Sequence, residues 1–156
     1  MMQTNDSDDH VDLFDLNRFI LAQNRIYDRA IAEIRNGKKQ THWMWYIFPQ
    51  IDGLGFSTTT KHYSLKSLQE AREYLAHPIL GARLLECSEC ILAFEGQSIS
   101  DLFGTPDDLK LRSSMTLFAH LSDTHSIFTR VLNRFFNGEP DDRTLNILEA
   151  IRKENL

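Results

Sequence analysis

Apolar residues recur at helical spacing along most of this chain. The first such segment runs from Leu16 to Ile34, with apolar side chains three or four positions apart. Asp15 stands where a helix N-cap is expected, and Gly37 stands where a helix is expected to stop. The pattern therefore predicts one long helix between these two signals.

Five later segments carry the same pattern, each with a start or stop signal. Ser67 and Glu70 form a capping box that opens the first of them. Prolines in first turns and glycines beyond last turns mark the others, with stops at Gly96 and Gly138. The predicted helices cover residues 67–77, 78–94, 105–121, 127–136 and the stretch from 140 onward.

The segment from Thr41 to Pro49 is apolar almost throughout, so its periodicity does not separate a buried helix from a buried strand. We favour a helix, because a single strand would have no partner in an otherwise helical chain. Thr41 is the expected cap and Pro49 the expected end. Together the segments predict an all-α, mainly helical fold, an irregular bundle of about six helices.

Composition agrees with a packed domain. The chain has 156 residues, of which 42% are hydrophobic and 25% are charged, which is close to the ordinary globular mixture. The first residues are polar and acidic, so we expect a frayed N-terminus over residues 1–12. The remainder, residues 13–156, is predicted to be a single helical domain.

Charge and apolar content exclude several kinds of partner. The formal net charge of −5 leaves no basic surplus for phosphates of nucleic acid. The longest apolar run, residues 43–49, is too short to cross a membrane. Cys87 and Cys90 are the only cysteines, which agrees with a reducing compartment. We therefore expect a cytoplasmic protein that binds neither nucleic acid nor membrane; its oligomeric state stays open.

The aromatic run, residues 42–48, is the most unusual feature of the sequence. It supplies ring surfaces with polar tips, which can stack on a base or sugar. The candidate ligand-binding residues here are His42, Trp43, Trp45 and Gln50. A segment that is apolar all round is usually buried, so a core helix is the favoured interpretation of the run, and the two interpretations can hold for different faces.

Two further groups complete the candidate site. Gly53 and Gly55 flank Leu54 in a loop where backbone can approach a neighbour or ligand closely. Lys110, Ser113 and Ser114 share one helix face, which could hold an anion. Adjacent serines inside a helix are explained by close helix packing as well as by ligand contact.

No catalytic residue, metal or cofactor is predicted. Cys87 and Cys90 have C-x-x-C spacing, but no second pair completes a zinc site and no strand precedes them. They are interpreted as small core residues. No G-x-S-x-G elbow accompanies Ser113 or Ser114 as a nucleophile.

Several stretches resemble one bacterial family, the domain of unknown function eighteen-ten, whose members are often labelled calpastatin-like. The similarity runs from about Asp12 to Leu148 and is carried by residues 42–50, 53–55, 77–81, 83–84 and 110–118. It implies a mainly α-helical fold and no established activity. Calpastatin-type inhibitors are disordered repeats, whereas this chain has a core and no repeat, so the label does not describe it.

Phe56 and Thr60 depart from the family pattern beside the glycine loop. A more distant similarity links residues 110–118, and Phe128, Leu132 and Asp142 after them, to domains proposed to process NAD or ADP-ribose derivatives. Our first hypothesis is therefore a small-molecule-binding domain, for a nucleotide or an ADP-ribose-like ligand, with enzymatic activity left open. The alternative is a non-enzymatic interaction or structural domain whose aromatic run is core or interface.

Overall fold

Residues 11–155 are described by a computed structural model and contain ten helices, with a single isolated bridge as their only strand-like pairing. The fold is all-α, as predicted. In chain order the helices are α1 (Asn17–Asn24), α2 (Tyr27–Arg35), α3 (Met44–Ile47), α4 (Thr58–Tyr63), α5 (Leu68–Ala76), α6 (Leu80–Leu92), α7 (Ile99–Phe103), α8 (Asp107–His120), α9 (Ile127–Phe135) and α10 (Asp142–Glu154). Residues 1–10 of the predicted frayed N-terminus lie outside the described residues.

The predicted first helix is two helices in the structure. The chain leaves helical geometry at Ile26, where φ is −136°, and this break lets α1 pack on α3 while α2 packs on α6. The predicted cap at Asp15 is wrong, because its φ of 51° is left-handed. The Asp12 carboxylate caps the helix instead: it accepts hydrogen bonds from the backbone N–H groups of Leu16 and Asn17, at 2.8 and 2.9 Å.

The five helices with a clear apolar stripe lie where the sequence places them, to within a few residues at each end. Glu70 N–H donates to Ser67 Oγ at 3.0 Å, which is half of the predicted capping box. The other half does not form, because the Glu70 carboxylate accepts from Lys66 N–H and pairs with Arg18. Gly37 has a φ of 77°, so only a residue without Cβ ends α2 there without strain.

Two short helices, α4 and α7, were not predicted. The sequence of α4 is Thr-Thr-Thr-Lys-His-Tyr, which has no apolar stripe, and none of its residues is buried. Ser57 Oγ caps it by accepting from Thr60 N–H at 3.1 Å. α7 has only five residues, too few for a helical period to be recognised.

Segment 52–64, which contains α4, is joined at its two ends by backbone hydrogen bonds. Asp52 N–H donates to the Leu65 carbonyl at 2.8 Å, and Leu65 N–H donates to the Gln50 carbonyl at 2.9 Å. These two bonds form the isolated parallel bridge between Ile51 and Leu65, whose side chains are both buried.

The core is built around α8, which packs against α3, α7, α9 and α10. On its buried face, the Phe118 ring lies 5.8 Å from Tyr74 and 5.6 Å from Phe128, measured between centroids. α6 forms a second centre and packs against α2, α5 and α9. None of the helices in residues 11–155 combines the length and apolar composition that a membrane span needs.

A buried carboxylate organises the turn that leads into α3. Glu33 accepts from Gln40 N–H at 2.8 Å, from Thr41 N–H at 3.1 Å and from the Thr41 hydroxyl at 2.7 Å. The indole N–H of Trp43 donates to the same carboxylate at 2.9 Å. Thr41 is therefore not the cap of α3, contrary to prediction, because its side chain bonds to α2; α3 itself ends before Pro49 as expected.

Burial by itself raises the pKa of Glu33, but the hydrogen bonds from Gln40, Thr41 and Trp43 outweigh it and lower the pKa to about 2. A carboxyl whose pKa is lower in the folded state than in the unfolded state stabilises the fold above its unfolded pKa of about 4.5. That stability is lost as the pH falls through about 2.

Replacing Glu33 by Gln is expected to lower the free energy of unfolding at pH 7 by about 3 kcal/mol, since the shift in pKa corresponds to that much stabilisation. Urea unfolding at pH 7 and at pH 3 measures it. The loss should be smaller at pH 3, because part of the wild-type stabilisation is already gone. Glu89→Gln, at an exposed position on α6, is the control and should change stability by less than about 0.5 kcal/mol. Equal losses in both variants would contradict the role of Glu33.

Candidate ligand-binding site

Trp43 is a core residue. Its side chain is completely buried, its indole N–H is bonded to Glu33, and its ring lies 6.3 Å from Phe48 and 6.1 Å from Phe103. Every polar and apolar part of the indole is therefore occupied by the protein. Of the two interpretations of the aromatic run, the core interpretation describes this residue.

Trp45 lies on the other side of the short helix α3 and is half-buried. Lys110 Nζ lies 5.0 Å from its ring centroid, which is the range of a cation–π contact. The structure thus brings the aromatic run and the predicted lysine face together. Ser113 and Ser114 are buried: Ser113 Oγ donates to the Leu109 carbonyl at 3.2 Å, and Ser114 Oγ has no partner within residues 11–155.

Asp107 links Trp45 to a second, similar contact that the sequence did not suggest. Lys39 Nζ lies 5.0 Å from the Trp43 ring and 2.7 Å from Asp107 Oδ2. Lys110 Nζ lies 3.5 Å from Asp107 Oδ1. One carboxylate in the first turn of α8 therefore holds two lysines, each of them over an indole.

The remaining candidate residues, His42, Gly53 and Gly55, differ in how far they are exposed. His42 is exposed, and its carbonyl accepts from the Tyr46 hydroxyl at 3.3 Å. Gly53 has a φ of 109°, and a Cβ there would lie 3.2 Å from the side chain of Ile147 on α10. A Cβ on Gly55 would lie 2.7 Å from Thr60 Cγ2. The glycine loop therefore packs on α10 and α4.

Gln50 borders a small space beside Trp45. The space has a volume of about 10 Å³ and is lined by Trp45, Gln50, Ile51, Thr60, Tyr63 and Ser64. That is close to the least room that one water molecule needs. In this conformation the predicted site next to Trp45 is too small for a ring.

A larger opening adjoins this space on the other side of Tyr63. Between α1 and α4 lies a shallow groove, the α1–α4 groove, made of three adjoining openings of about 500, 350 and 580 Å³. Its lining residues come mainly from α1, α4 and the segments next to them, with Tyr46 from α3. They include Asp15, Arg18, Ala22, Arg25, Tyr46, Lys61, His62 and Tyr63.

Two tyrosine rings form the floor of the α1–α4 groove. The Tyr46 and Tyr63 centroids are 5.2 Å apart, and the His62 ring stands edge-on to Tyr63 at 4.6 Å. Gln23 fixes Tyr46 beside α1, because its side-chain amide donates to the Tyr46 carbonyl at 2.7 Å. Burial raises the pKa of the Tyr46 phenol, with Tyr63 adding to the rise and Arg25 opposing it. The phenol is therefore neutral at physiological pH.

Cations surround this aromatic floor, but they differ in what they already bind. The Arg18 guanidinium donates to the carbonyls of His62 and Ser64 and pairs with Glu70 at 2.8 Å, so it holds α1, α4 and α5 together. Arg25 and Lys61 are exposed, and neither side chain forms a hydrogen bond or ion pair with residues 11–155. They are the groups in the groove that are available to an anion.

A second groove, of about 990 Å³, runs between α5 and α10. Its floor is aliphatic, with Leu68, Leu148 and Ile151, and its rim carries charges of both signs, such as Arg72 and Glu154. It contains none of the site residues expected from the sequence, and no aromatic ring other than that of a histidine.

No group of three or more His, Cys, Asp or Glu side chains in residues 11–155 is arranged to hold a metal ion. Cys87 and Cys90 are free thiols on α6. Burial raises the pKa of Cys87 to about 12, so this thiol is not a thiolate at neutral pH. The C-x-x-C pair packs in the helical stripe where the sequence placed it.

The comparisons with known proteins identify the family. The family model for "Protein of unknown function (DUF1810)" matches residues 13–148. The chain belongs to this family. A solved structure, that of the conserved hypothetical protein Rv1873 from Mycobacterium tuberculosis, is 46% identical in sequence, with a TM-score of 0.85; the match covers 87% of this chain and 97% of that one.

No curated protein matches the chain. The resemblance noted in the sequence is therefore confirmed, and neither the family nor the mycobacterial relative carries an established function. The ligand-binding roles of the predicted residues stay predictions.

The two tryptophans should differ in their accessibility to a quencher, because Trp43 is completely buried and Trp45 is half-buried beside the surface. In Trp43→Phe the remaining fluorescence comes from Trp45, and acrylamide should quench it several times more strongly than the fluorescence of Trp45→Phe. Stern–Volmer slopes measure the difference, with circular dichroism as the check on folding. Equal slopes would mean that the placement of the two rings is wrong.

Proposed function

We propose that this domain binds a small anionic ligand with an aromatic ring, of the nucleotide or ADP-ribose type, in the α1–α4 groove. The observation that carries this proposal is the position of Arg25: its exposed guanidinium lines the same opening as the paired rings of Tyr46 and Tyr63. A guanidinium binds phosphate through a fork of N–H donors, and an aromatic floor accepts a planar ring.

The charge of the groove supports an anionic ligand. The whole chain has a net charge of −5, yet its groove is lined by Arg18, Arg25, Lys61 and Lys66 against Asp15 and Glu70. A cationic opening on an acidic protein concentrates anions locally. Arg25 and Lys61 can contact a phosphate without breaking an ion pair, because neither takes part in one within the described chain.

The size of the groove supports a ligand larger than a free ion. Each of its three openings holds between about 350 and 580 Å³, within the range of small-molecule sites. Tyr63 lines two of the three and also borders the space beside Trp45 and Gln50. The proposed site is therefore continuous with part of the site expected from the sequence, and it omits the buried Trp43, Ser113 and Ser114.

The alternative function, an interaction or structural domain, accounts for the buried half of the aromatic run. Trp43, Met44, Ile47 and Phe48 are core residues, whatever the domain binds. Trp45 and Tyr46 are only half-buried, and the alternative makes them part of an interface without assigning a role to Arg25 beside Tyr46. We further propose a cytoplasmic location, which the two free thiols support.

Adenosine monophosphate and ADP-ribose are the probes for this site, and isothermal titration calorimetry is the measurement. Arg25→Ala should weaken binding of both probes about tenfold or more, because a charge-assisted contact to phosphate is lost. The affinities of Arg25→Lys should lie between those of Arg25→Ala and the wild type, since lysine keeps the positive charge and loses the paired N–H donors of the guanidinium.

Arg130→Ala is the matched control. Arg130 is an exposed arginine on α9 whose side chain has no hydrogen bond or ion pair with the described residues, and it lies outside the groove lining. Its replacement should leave both affinities unchanged. The proposal is wrong if neither probe binds the wild type at millimolar concentration, or if Arg130→Ala and Arg25→Ala weaken binding equally.

A further inference from the structure

The carboxylate of Asp15 lies among the cations of the α1–α4 groove without pairing with any of them. Asp15 lines both the opening of about 500 Å³ and the one of about 580 Å³, so it lies where these two openings join. Its side chain forms no hydrogen bond or ion pair within residues 11–155. The other acid of the groove, Glu70, is buried and paired with Arg18 at 2.8 Å. Asp15 is therefore the acidic side chain that a ligand in the groove meets.

The main chain of Asp15 is held in one conformation. Its φ of 51° is left-handed, a region that aspartate and asparagine adopt more readily than most side chains. The Arg18 guanidinium donates to the carbonyls of Phe14 and Asp15, at 2.7 and 2.8 Å. The same guanidinium donates to the His62 carbonyl at the end of α4 at 2.8 Å. One arginine thus fixes Asp15 relative to both walls of the groove.

The lining of the groove changes in character along α1. Beyond the C-terminal end of α1, Arg25 shares an opening with the rings of Tyr46 and Tyr63. Asp15 precedes the N-terminal end of α1 and shares the next opening with Arg25. The eight residues of α1 between them span about 12 Å. A nucleotide with its ring on the tyrosines and its first phosphate at Arg25 therefore extends toward Asp15 with the group that follows its second phosphate.

We infer that Asp15 selects ligands in which the group beyond the second phosphate is uncharged and bears hydroxyls, as the distal ribose of ADP-ribose does. This inference rests on the proposed function, because it assumes that a nucleotide occupies the α1–α4 groove. A carboxylate accepts hydrogen bonds from the hydroxyls of a sugar. It repels a third phosphate in the same place, and an unpaired like charge is a means of rejecting a competitor. The ligand class is a nucleoside diphosphate joined to a sugar, and nucleoside triphosphates are rejected.

Adenosine triphosphate and ADP-ribose are the two probes, because they share adenosine diphosphate and differ in the group that follows it. Isothermal titration calorimetry measures both affinities in buffer without divalent cations, which would neutralise the triphosphate. The cations of the groove alone would favour adenosine triphosphate, since it has the greater negative charge. With Asp15 in place, the wild type should instead bind ADP-ribose about tenfold more tightly than adenosine triphosphate.

Asp15→Asn should move the two affinities in opposite directions. Binding of ADP-ribose should weaken about fivefold, because a charged acceptor is replaced by a neutral one, and binding of adenosine triphosphate should tighten about threefold, because the repulsion is removed. Adenosine monophosphate ends before Asp15, so its affinity should not change. Asparagine tolerates the left-handed φ, and thermal unfolding checks that the variant folds. If it does not fold, Asp15→Gly takes its place, since glycine adopts this conformation readily.

Asp101→Asn is the matched control. Asp101 is an exposed aspartate on α7 whose side chain has no hydrogen bond or ion pair with the described residues, and it lies outside the groove lining. Its replacement removes the same charge from the protein. It should leave the affinities for all three nucleotides unchanged.

The possible outcomes separate this inference from the function beneath it. Suppose that adenosine triphosphate binds the wild type at least as tightly as ADP-ribose, or that the two affinities do not move in opposite directions in Asp15→Asn. Either result overturns the role of Asp15 and leaves Arg25-dependent binding of adenosine monophosphate in place. Absence of binding of all three nucleotides to the wild type overturns both. Opposite shifts in Asp15→Asn, with none in Asp101→Asn, support both.

Discussion

Four hydrogen bonds to one carboxylate, that of Glu33, determine how the aromatic segment meets the rest of the protein. An ionised carboxylate only accepts hydrogen bonds, so it satisfies donors of Gln40, Thr41 and Trp43 together. With the Trp43 indole held inward, the side chain two residues later points roughly the opposite way, because successive helical residues are rotated by about 100°. Trp45 is therefore only half-buried, and Lys110 lies over its ring.

The order and type of the main helices could be predicted because each has a complete local signal. α5, α6, α8, α9 and α10 have an apolar stripe together with a cap, a proline or a glycine at an end. α4 has no such signal, because its sequence is polar and has no apolar stripe. Its position depends on contacts with the rest of the fold, including those of Tyr63. The break at Ile26 is equally hidden, because the apolar spacing continues across it and only the different partners of α1 and α2 require the bend.

The site was harder to predict, and the difficulty has a physical cause. An aromatic run with a lysine face elsewhere indicates that the two can meet, and Trp45 and Lys110 do meet. Sequence alone does not tell which tryptophan is buried, because that depends on Glu33, ten residues before Trp43. Arg25 and Tyr63 lie in segments with no common motif, and only the packing of α1 beside α4 unites them. The cations come near the two tyrosines only after folding, so the sequence contained no signal for this groove.

The two backbone bonds that close segment 52–64 make its two ends part of the core, because they join Ile51 and Leu65, which are both buried. Arg18 also holds the segment by its main chain, through the carbonyls of His62 and Ser64. These contacts are made with backbone atoms, so they do not depend on which side chains the segment presents to the groove. The wall on α4 can therefore accept other side chains at its exposed positions while its path is kept, whereas the opposite wall, on α1, is tied to the core through the side chain of Gln23.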